Sequence, residues 1–183
     1  TRFVAGLVGL SITRTLGPVL TAIIFTGRVG AAYTAELGTM KVSDELLALE
    51  TMGISSIGYL AAPRVLAGAF ALLALTVIFD LCALTSALLM CTMQFGVDQQ
   101  IYMDVTHAFV DMWDLGFGMF KGVVFSLLIS MIACYKGFNV KGSGLDVGRA
   151  TMESVVMCLV VVIFADFVLS LVFNIASNFG LVP

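Results

Sequence analysis

Arg14, Asp80 and Asp166 stand inside long apolar runs. A charge at the centre of a membrane helix costs about 2.5–3.5 kcal/mol on insertion scales, so such residues face a bundle interior or a wet cavity. Two kinds of chemistry suit them. As structure, Arg14 could pair with one aspartate, or the charges could cap an interface. As function, Arg14 could contact an anionic ligand and the aspartates could relay protons. Pro18, four residues after Arg14, is expected to kink its helix and free a backbone carbonyl. A kinked helix beside a buried arginine suits a ligand cavity.

Other reactive residue types are arranged less suggestively. Cys82, Cys91, Cys134 and Cys158 lie in or beside apolar runs without CxxC spacing, and His107 stands alone. These spacings favour small buried hydrophobes over a metal site or disulfide framework. No GxSxG elbow, HExxH pair or GxxxxGK[ST] loop occurs. Catalysis, a bound cofactor and ATP binding in this chain are therefore not expected.

The elements that must position these residues follow from composition. Hydrophobic residues make up 60% and charged residues 11%, with a mean hydropathy of +1.09. Soluble domains carry about 45–50% apolar and about 25% charged residues. The excess apolar surface must face lipid, so the fold class is an all-α, polytopic transmembrane bundle. The net charge of −3 without a dense basic cluster excludes a nucleic-acid partner. A spanning helix needs about 20 mostly apolar residues. The stretches that qualify are Phe3 to Thr26, Val65 to Phe95, Leu115 to Tyr135 (with Lys121 in its first two turns) and Val155 to Phe179. They form one transmembrane domain over residues 1–183.

The loops set an orientation. Arg28, Lys41 and Arg64 follow the first span, and Lys136, Lys141 and Arg149 follow the third. The loop after the second carries Asp98, Asp104, Asp111 and Asp114. The positive-inside rule makes the basic loops cytoplasmic and the acidic one external. The external stretch around His107, from Ile101 to Met112, could form an amphipathic surface helix. This orientation places Thr1 outside without a signal-peptide pattern. The expectation is therefore an upstream segment with at least one more spanning helix.

The first cytoplasmic loop, Gly27 to Ile54, carries a short amphipathic helix. Ser43 is expected to be its N-cap, with Asp44 and Glu45 favouring its positive end. Leu46, Leu49 and Met52 recur at helical spacing, and Gly53 is a natural stop. Lipid-surface helices are usually rich in Lys and Arg. Asp44, Glu45 and Glu50 make this one acidic, which favours a protein partner's groove. The second loop, Lys136 to Glu153, is glycine-rich and is expected to make a sharp return. Gly118 with Gly122, and Gly144 with Gly148, have the GxxxG spacing that allows close helix approach.

Several runs, in order along the chain, closely resemble MlaE/YrbE-type permeases, the membrane subunits of MCE-associated ABC transporters. They are Leu16-Gly17-Pro18-Val19-Leu20-Thr21-Ala22, Gly27-Arg28-Val29-Gly30, Ala35-Glu36-Leu37-Gly38-Thr39-Met40-Lys41-Val42 and Leu49-Glu50-Thr51-Met52-Gly53-Ile54. Lys121-Gly122-Val123-Val124-Phe125, Tyr135-Lys136-Gly137 and Ala165-Asp166-Phe167 also fit. The resemblance implies a homodimer of permease copies with cytoplasmic ABC ATPase subunits and a periplasmic MCE-domain protein. The implied cargo is phospholipid or a related lipid, moved between the inner membrane and the outer envelope. It implies a bacterial inner membrane, with the plastid inner envelope as the alternative.

Carried onto this sequence, the resemblance puts Arg14, Leu16 and Pro18 at the lipid cavity. It puts the ATPase-coupling helix within Ala35 to Met52, which includes Glu36, Leu37, Gly38, Met40, Asp44, Glu45, Leu46, Leu49, Glu50 and Met52. The family's Arg-Glu-Leu-Gly-Pro is here Arg14-Thr15-Leu16-Gly17-Pro18, without the carboxylate. The family's upstream interfacial helix and first spanning helix are not in this sequence. A separate reading makes the chain an ion-coupled secondary transporter using Asp80 and Asp166, and another makes it a scaffold for soluble partners.

Overall fold

The computed structural model describes residues 10–95 and 112–178. The acidic stretch holding Asp98, Asp104, His107 and Asp111 lies outside the described residues. Among the described residues, four helices are long and apolar enough to cross a membrane: Ile12–Val42, Ile57–Met93, Leu115–Phe138 and Gly144–Ile175. Among the described residues no strand occurs. The chain is an all-α bundle of an integral membrane protein.

The first helix, α1, runs over Ile12–Val42 and corrects the expected end at Thr26. Gly27 and Gly30 lie in the expected first loop, yet the chain passes them in a widened π-helical turn, Thr26–Gly30, and continues as Ala31–Val42. The glycine serves packing here. A Cβ on Gly30 would press on Ile129 at 3.2 Å, so its absence lets the helices approach. The Ala31 to Leu37 run is otherwise rich in good helix formers.

A short helix, α2 (Glu45–Thr51), follows a tight turn. Its N-cap is Asp44, in the left-handed conformation at φ 59°, and not Ser43. The Ser43 hydroxyl instead donates to the Thr39 carbonyl at 3.0 Å, closing the end of α1. Gly53, at φ 78°, stops the helix as expected.

Helix α3 starts with a π-helical turn, Ile57–Ala61, and continues as Ala62–Phe95. It therefore begins before the expected Val65, with Pro63 as its seventh residue, just after the widened turn. Helix α4 is Met112–Phe138 and α5 is Gly144–Asn178. The residues from Gly144 to Glu153, expected as loop, are the first turns of α5. The Ser143 N–H donates to Asp146 Oδ2 at 2.7 Å, a side-chain cap three residues into the helix.

Helix α4 is the centre. Its Phe125 and Ile129 pack with Ala22 and Phe25 of α1, Leu72 of α3, and Cys158 and Val162 of α5. Ile24, Phe70, Ile163, Phe164 and Phe167 point outward and are exposed, as lipid-facing residues must be. The interior is the more polar side. Thr21, Thr26, Thr76, Ser126, Ser130 and Ser154 are all buried. Small and hydroxyl residues suit helix contacts in lipid, where apolar burial gives no drive. Thr34 Oγ1 lies 2.9 Å from Ser154 Oγ and 3.1 Å from the Ala133 carbonyl, joining α1, α4 and α5.

The glycine pairs divide. A Cβ on Gly118 would meet the Thr13 carbonyl at 2.6 Å, and one on Gly122 would meet Thr76 Oγ1 at 3.0 Å. Gly144 and Gly148 face nothing within 4 Å, so that spacing marks no contact within the chain. Cys134 and Cys158 are buried, as small hydrophobes should be, whereas Cys82 is exposed.

Candidate functional site

The charged residues converge on one turn of α1. The segment Ile12–Leu16 is π-helical, and Gly17 sends its N–H to the Ile12 carbonyl. Pro18 has no N–H to offer the carbonyl of Arg14, four residues earlier. Lys121 supplies the donor from α4: its Nζ lies 3.2 Å from the Arg14 carbonyl. The freed carbonyl expected from the sequence is present, and its partner is a buried cation.

Lys121 is completely buried and makes further bonds to α5. Its Nζ lies 2.7 Å from Asp166 Oδ1, with the two side chains 0% and 17% exposed. It also donates to Ser170 Oγ at 2.8 Å. An ammonium has three donors. The Arg14 carbonyl, Asp166 and Ser170 match that number, so the lysine's burial is compensated by geometry. Asp166 thus pairs with Lys121, where the sequence suggested Arg14 as an aspartate's partner. Lys121, Phe117, Ser170 and Phe173 were not singled out as site residues from sequence. Their spacing carries the signal: Phe117 and Lys121, and Asp166, Ser170 and Phe173, fall at helical intervals of four, four and three.

Arg14 is half-buried. Its guanidinium carbon lies 4.4 Å from the centre of the Phe173 ring on α5. Asp80 of α3 is 5% exposed and approaches the same turn. A Cβ on Gly17 would strike the Asp80 carboxylate, so only glycine fits beneath it. Asp80 Oδ1 is buried without a hydrogen-bond partner. The turn from Arg14 to Pro18 is therefore contacted by Asp80, by Lys121 and by Phe173. Of the residues expected at a lipid cavity, Leu16 is exposed, and Pro18 is buried beside Gly118. A separate open groove of about 810 Å³ lies between the start of α3 and the end of α4, walled by Leu66, Met131, Tyr135 and Phe138.

The opposite end of α1 carries the other candidate surface. Lys41, Arg64, Lys136 and Arg149 lie toward one end of the bundle, because alternate helices run antiparallel. Arg64 pairs with Glu36 at 3.0 Å, and Lys136 pairs with Glu153 at 3.2 Å. On α2, Asp44, Glu45, Leu47 and Met52 are exposed, while Leu46 is buried. Glu50 accepts from the buried Ser56 hydroxyl at 3.1 Å, which ties α2 to the start of α3. Met40 and Leu49 are half-buried. Leu37 and Gly38 are buried inside the bundle, with Gly38 within 3.1 Å (measured to an added Cβ) of Val140 and Val147. Of the residues expected to couple to an ATPase, these two pack inside the bundle and the others, apart from Leu46, lie nearer the surface.

Known proteins are similar to this sequence. It is 40% identical over 169 residues to the chloroplastic protein TRIGALACTOSYLDIACYLGLYCEROL 1 of Arabidopsis thaliana, covering 92% of this chain and 48% of that one. It is 35% identical to a probable ABC transporter permease of Synechocystis, covering 93% of this chain and 65% of the relative. It is 34% identical to the intermembrane phospholipid transport system permease protein MlaE of Haemophilus influenzae, covering 90% of this chain and 63% of the relative. The chain thus spans between about half and two thirds of the length of these relatives. Residues 1–172 match the permease MlaE family. With that match over nearly the whole chain, and helices apolar enough to cross a bilayer, the chain belongs to the MlaE permease family.

Proposed function

We propose that this chain is the permease subunit of an ABC transporter that moves phospholipid or a related lipid between the inner membrane and the outer envelope. The observation that carries the reading is the continuity of α1. One helix, Ile12–Val42, joins the charged turn at Arg14 to the acidic helix α2. At about 1.5 Å per residue it spans the bilayer and extends beyond it. A force applied at α2 reaches the Arg14 turn without crossing a flexible loop.

In this reading two copies enclose a cavity, and partner ATPases dock on α2 through Asp44, Glu45 and the exposed Met52. ATP binding moves α2 and reshapes the cavity. Arg14 meets the anionic headgroup. Lys121 and Asp166 hold the widened turn that presents it, and a periplasmic MCE-domain protein receives or delivers the lipid. The basic end of the bundle faces the cytoplasm, in a bacterial inner membrane or a plastid inner envelope. The names of the Haemophilus and Arabidopsis relatives support a lipid cargo.

The test is purification of the full-length protein from its native membrane, with mass spectrometry of bound proteins and lipids. Co-recovery of an ABC ATPase, an MCE protein and phospholipid is the expected result. Recovery of the chain alone, lipid-free and transporting only under a proton gradient, would overturn it. The unpartnered oxygen of Asp80 is the one observation that favours that ion-coupled reading.

A further inference from the structure

The groove between the start of α3 and the end of α4 exists because small residues face large ones. On the α3 side it is lined by Gly58, Ala61 and Ala62, which are too small to fill the space. Leu66, Met131 and Tyr135 border it, and each is more than half exposed. The open volume is about 810 Å³, within the range of ligand sites, about 300–1,000 Å³. It runs from Ile57 to Leu66 on α3 and from Met131 to Asn139 on α4. At about 1.5 Å per residue each stretch is about 12–14 Å long. The hydrocarbon core of a bilayer is about 30 Å thick, so one leaflet is about 15 Å deep. The groove therefore has the depth of one leaflet, on helices apolar enough to cross a membrane.

Its polar groups gather at one end. Tyr135 and Asn139 stand one turn apart at the end of α4, and Asn139 Nδ2 donates to the Tyr135 carbonyl at 2.9 Å. Tyrosine favours the boundary between membrane and water. The exposed Lys141 follows two residues after Asn139. An apolar trough that ends in an aromatic rim and a cation complements a phospholipid from chain to phosphate. We propose that this groove is a resident-lipid site, which takes an acyl chain of a phospholipid from the leaflet at the basic end of the bundle and places its phosphate at Lys141. The site is separate from the turn at Arg14. It requires only that the helices stand in a bilayer, so it does not depend on lipid being transported. The bound chain supplies the packing that Gly58, Ala61 and Ala62 leave out, and thereby holds the first turns of α3 against α4.

The experiment uses the full-length protein in its native assembly, stripped of lipid in mild detergent and then titrated with phosphatidylglycerol. Native mass spectrometry counts the retained lipid, and thermal unfolding reads its effect. The wild type is expected to gain about 5 °C at saturating lipid. Ala62→Trp, which fills the groove, is expected to retain one phospholipid fewer per permease copy and to lose that gain. Ile78→Trp, exposed on α3 outside the groove, is expected to keep both. Lys141→Gln is expected to weaken binding about fivefold, the worth of one lysine near an anionic lipid surface. An assembled Ala62→Trp protein with the wild-type lipid count and thermal gain overturns the site. Unchanged affinity in Lys141→Gln overturns the phosphate contact. Should Ala62→Trp not assemble, the smaller change Ala61→Leu decides on the same two readings.

Discussion

Pro18 and Lys121 are complementary across two helices. The proline withholds an N–H from the Arg14 carbonyl, and the lysine fills that place at 3.2 Å. Replacing Pro18 with alanine supplies a backbone donor in competition with Lys121. A helix-interior proline costs about 3 kcal/mol, so Pro18→Ala is expected to leave the thermal midpoint unchanged or raised. Lipid transport by the reconstituted assembly should nevertheless fall several-fold as the widened turn tightens. A wild-type transport rate would show that the turn is not part of the mechanism.

The Lys121–Asp166 pair is unequal in exposure, and that sets the order of mutational costs. Removing one partner of a buried pair costs about 3–5 kcal/mol, because a charge is left uncompensated. Lys121 has no exposure, whereas Asp166 retains 17%. Asp166→Leu, which orphans the fully buried lysine, is therefore expected to destabilise more than Lys121→Met, which leaves the less buried carboxylate. The double substitution should be more stable than Asp166→Leu alone. Unfolding of the purified protein in mixed micelles measures all three, and equal costs for the single variants would contradict the argument.

Glycines of similar appearance should respond in opposite ways. A Cβ on Gly137 would meet Leu37 Cβ at 2.7 Å, so Gly137→Ala must push α1 from α4 and cost about 1–3 kcal/mol. Gly148, on α5, has open space around it, and alanine there should add up to about 1 kcal/mol through helix propensity. Thermal midpoints of the two variants check the contrast.

The acidic helix gives a test of coupling that leaves the fold aside. Glu45 and Met52 are exposed, so Glu45→Lys with Met52→Asp should keep the wild-type thermal midpoint. The pair is expected to abolish co-purification of the ATPase. Full recovery of the ATPase would move the docking surface elsewhere.

The spans and their order were legible because lipid requires long apolar runs whatever they pack against. The ends of α1 and α5 were not. Gly27 and Gly30 fell in the expected first loop and Gly144 and Gly148 in the expected second, and the sequence does not show that Gly30 packs on Ile129 or that Ser143 and Asp146 cap α5. Among the site residues, Arg14, Pro18, Asp80 and Asp166 were visible as costly or unusual residues in apolar runs. Lys121 was visible too, in the first two turns of its span, but nothing in the sequence assigns it a partner. Only the placement of α1 against α4 and α5 gives it the Arg14 carbonyl and Asp166. The burial of Leu37 and Gly38 was hidden for the same reason, since a helix that continues past Thr26 buries residues that a loop would expose.

The burial of Lys121 also constrains the order in which the chain enters the bilayer. During synthesis α4 emerges before α5, so its lysine reaches the membrane without Asp166 or Ser170. Only the Arg14 carbonyl, on the already inserted α1, is available to it at that stage. The widened turn in α1 therefore supplies an acceptor for α4 through the interval before α5 arrives, and assembly of this bundle depends on α1 being in place when α4 is released.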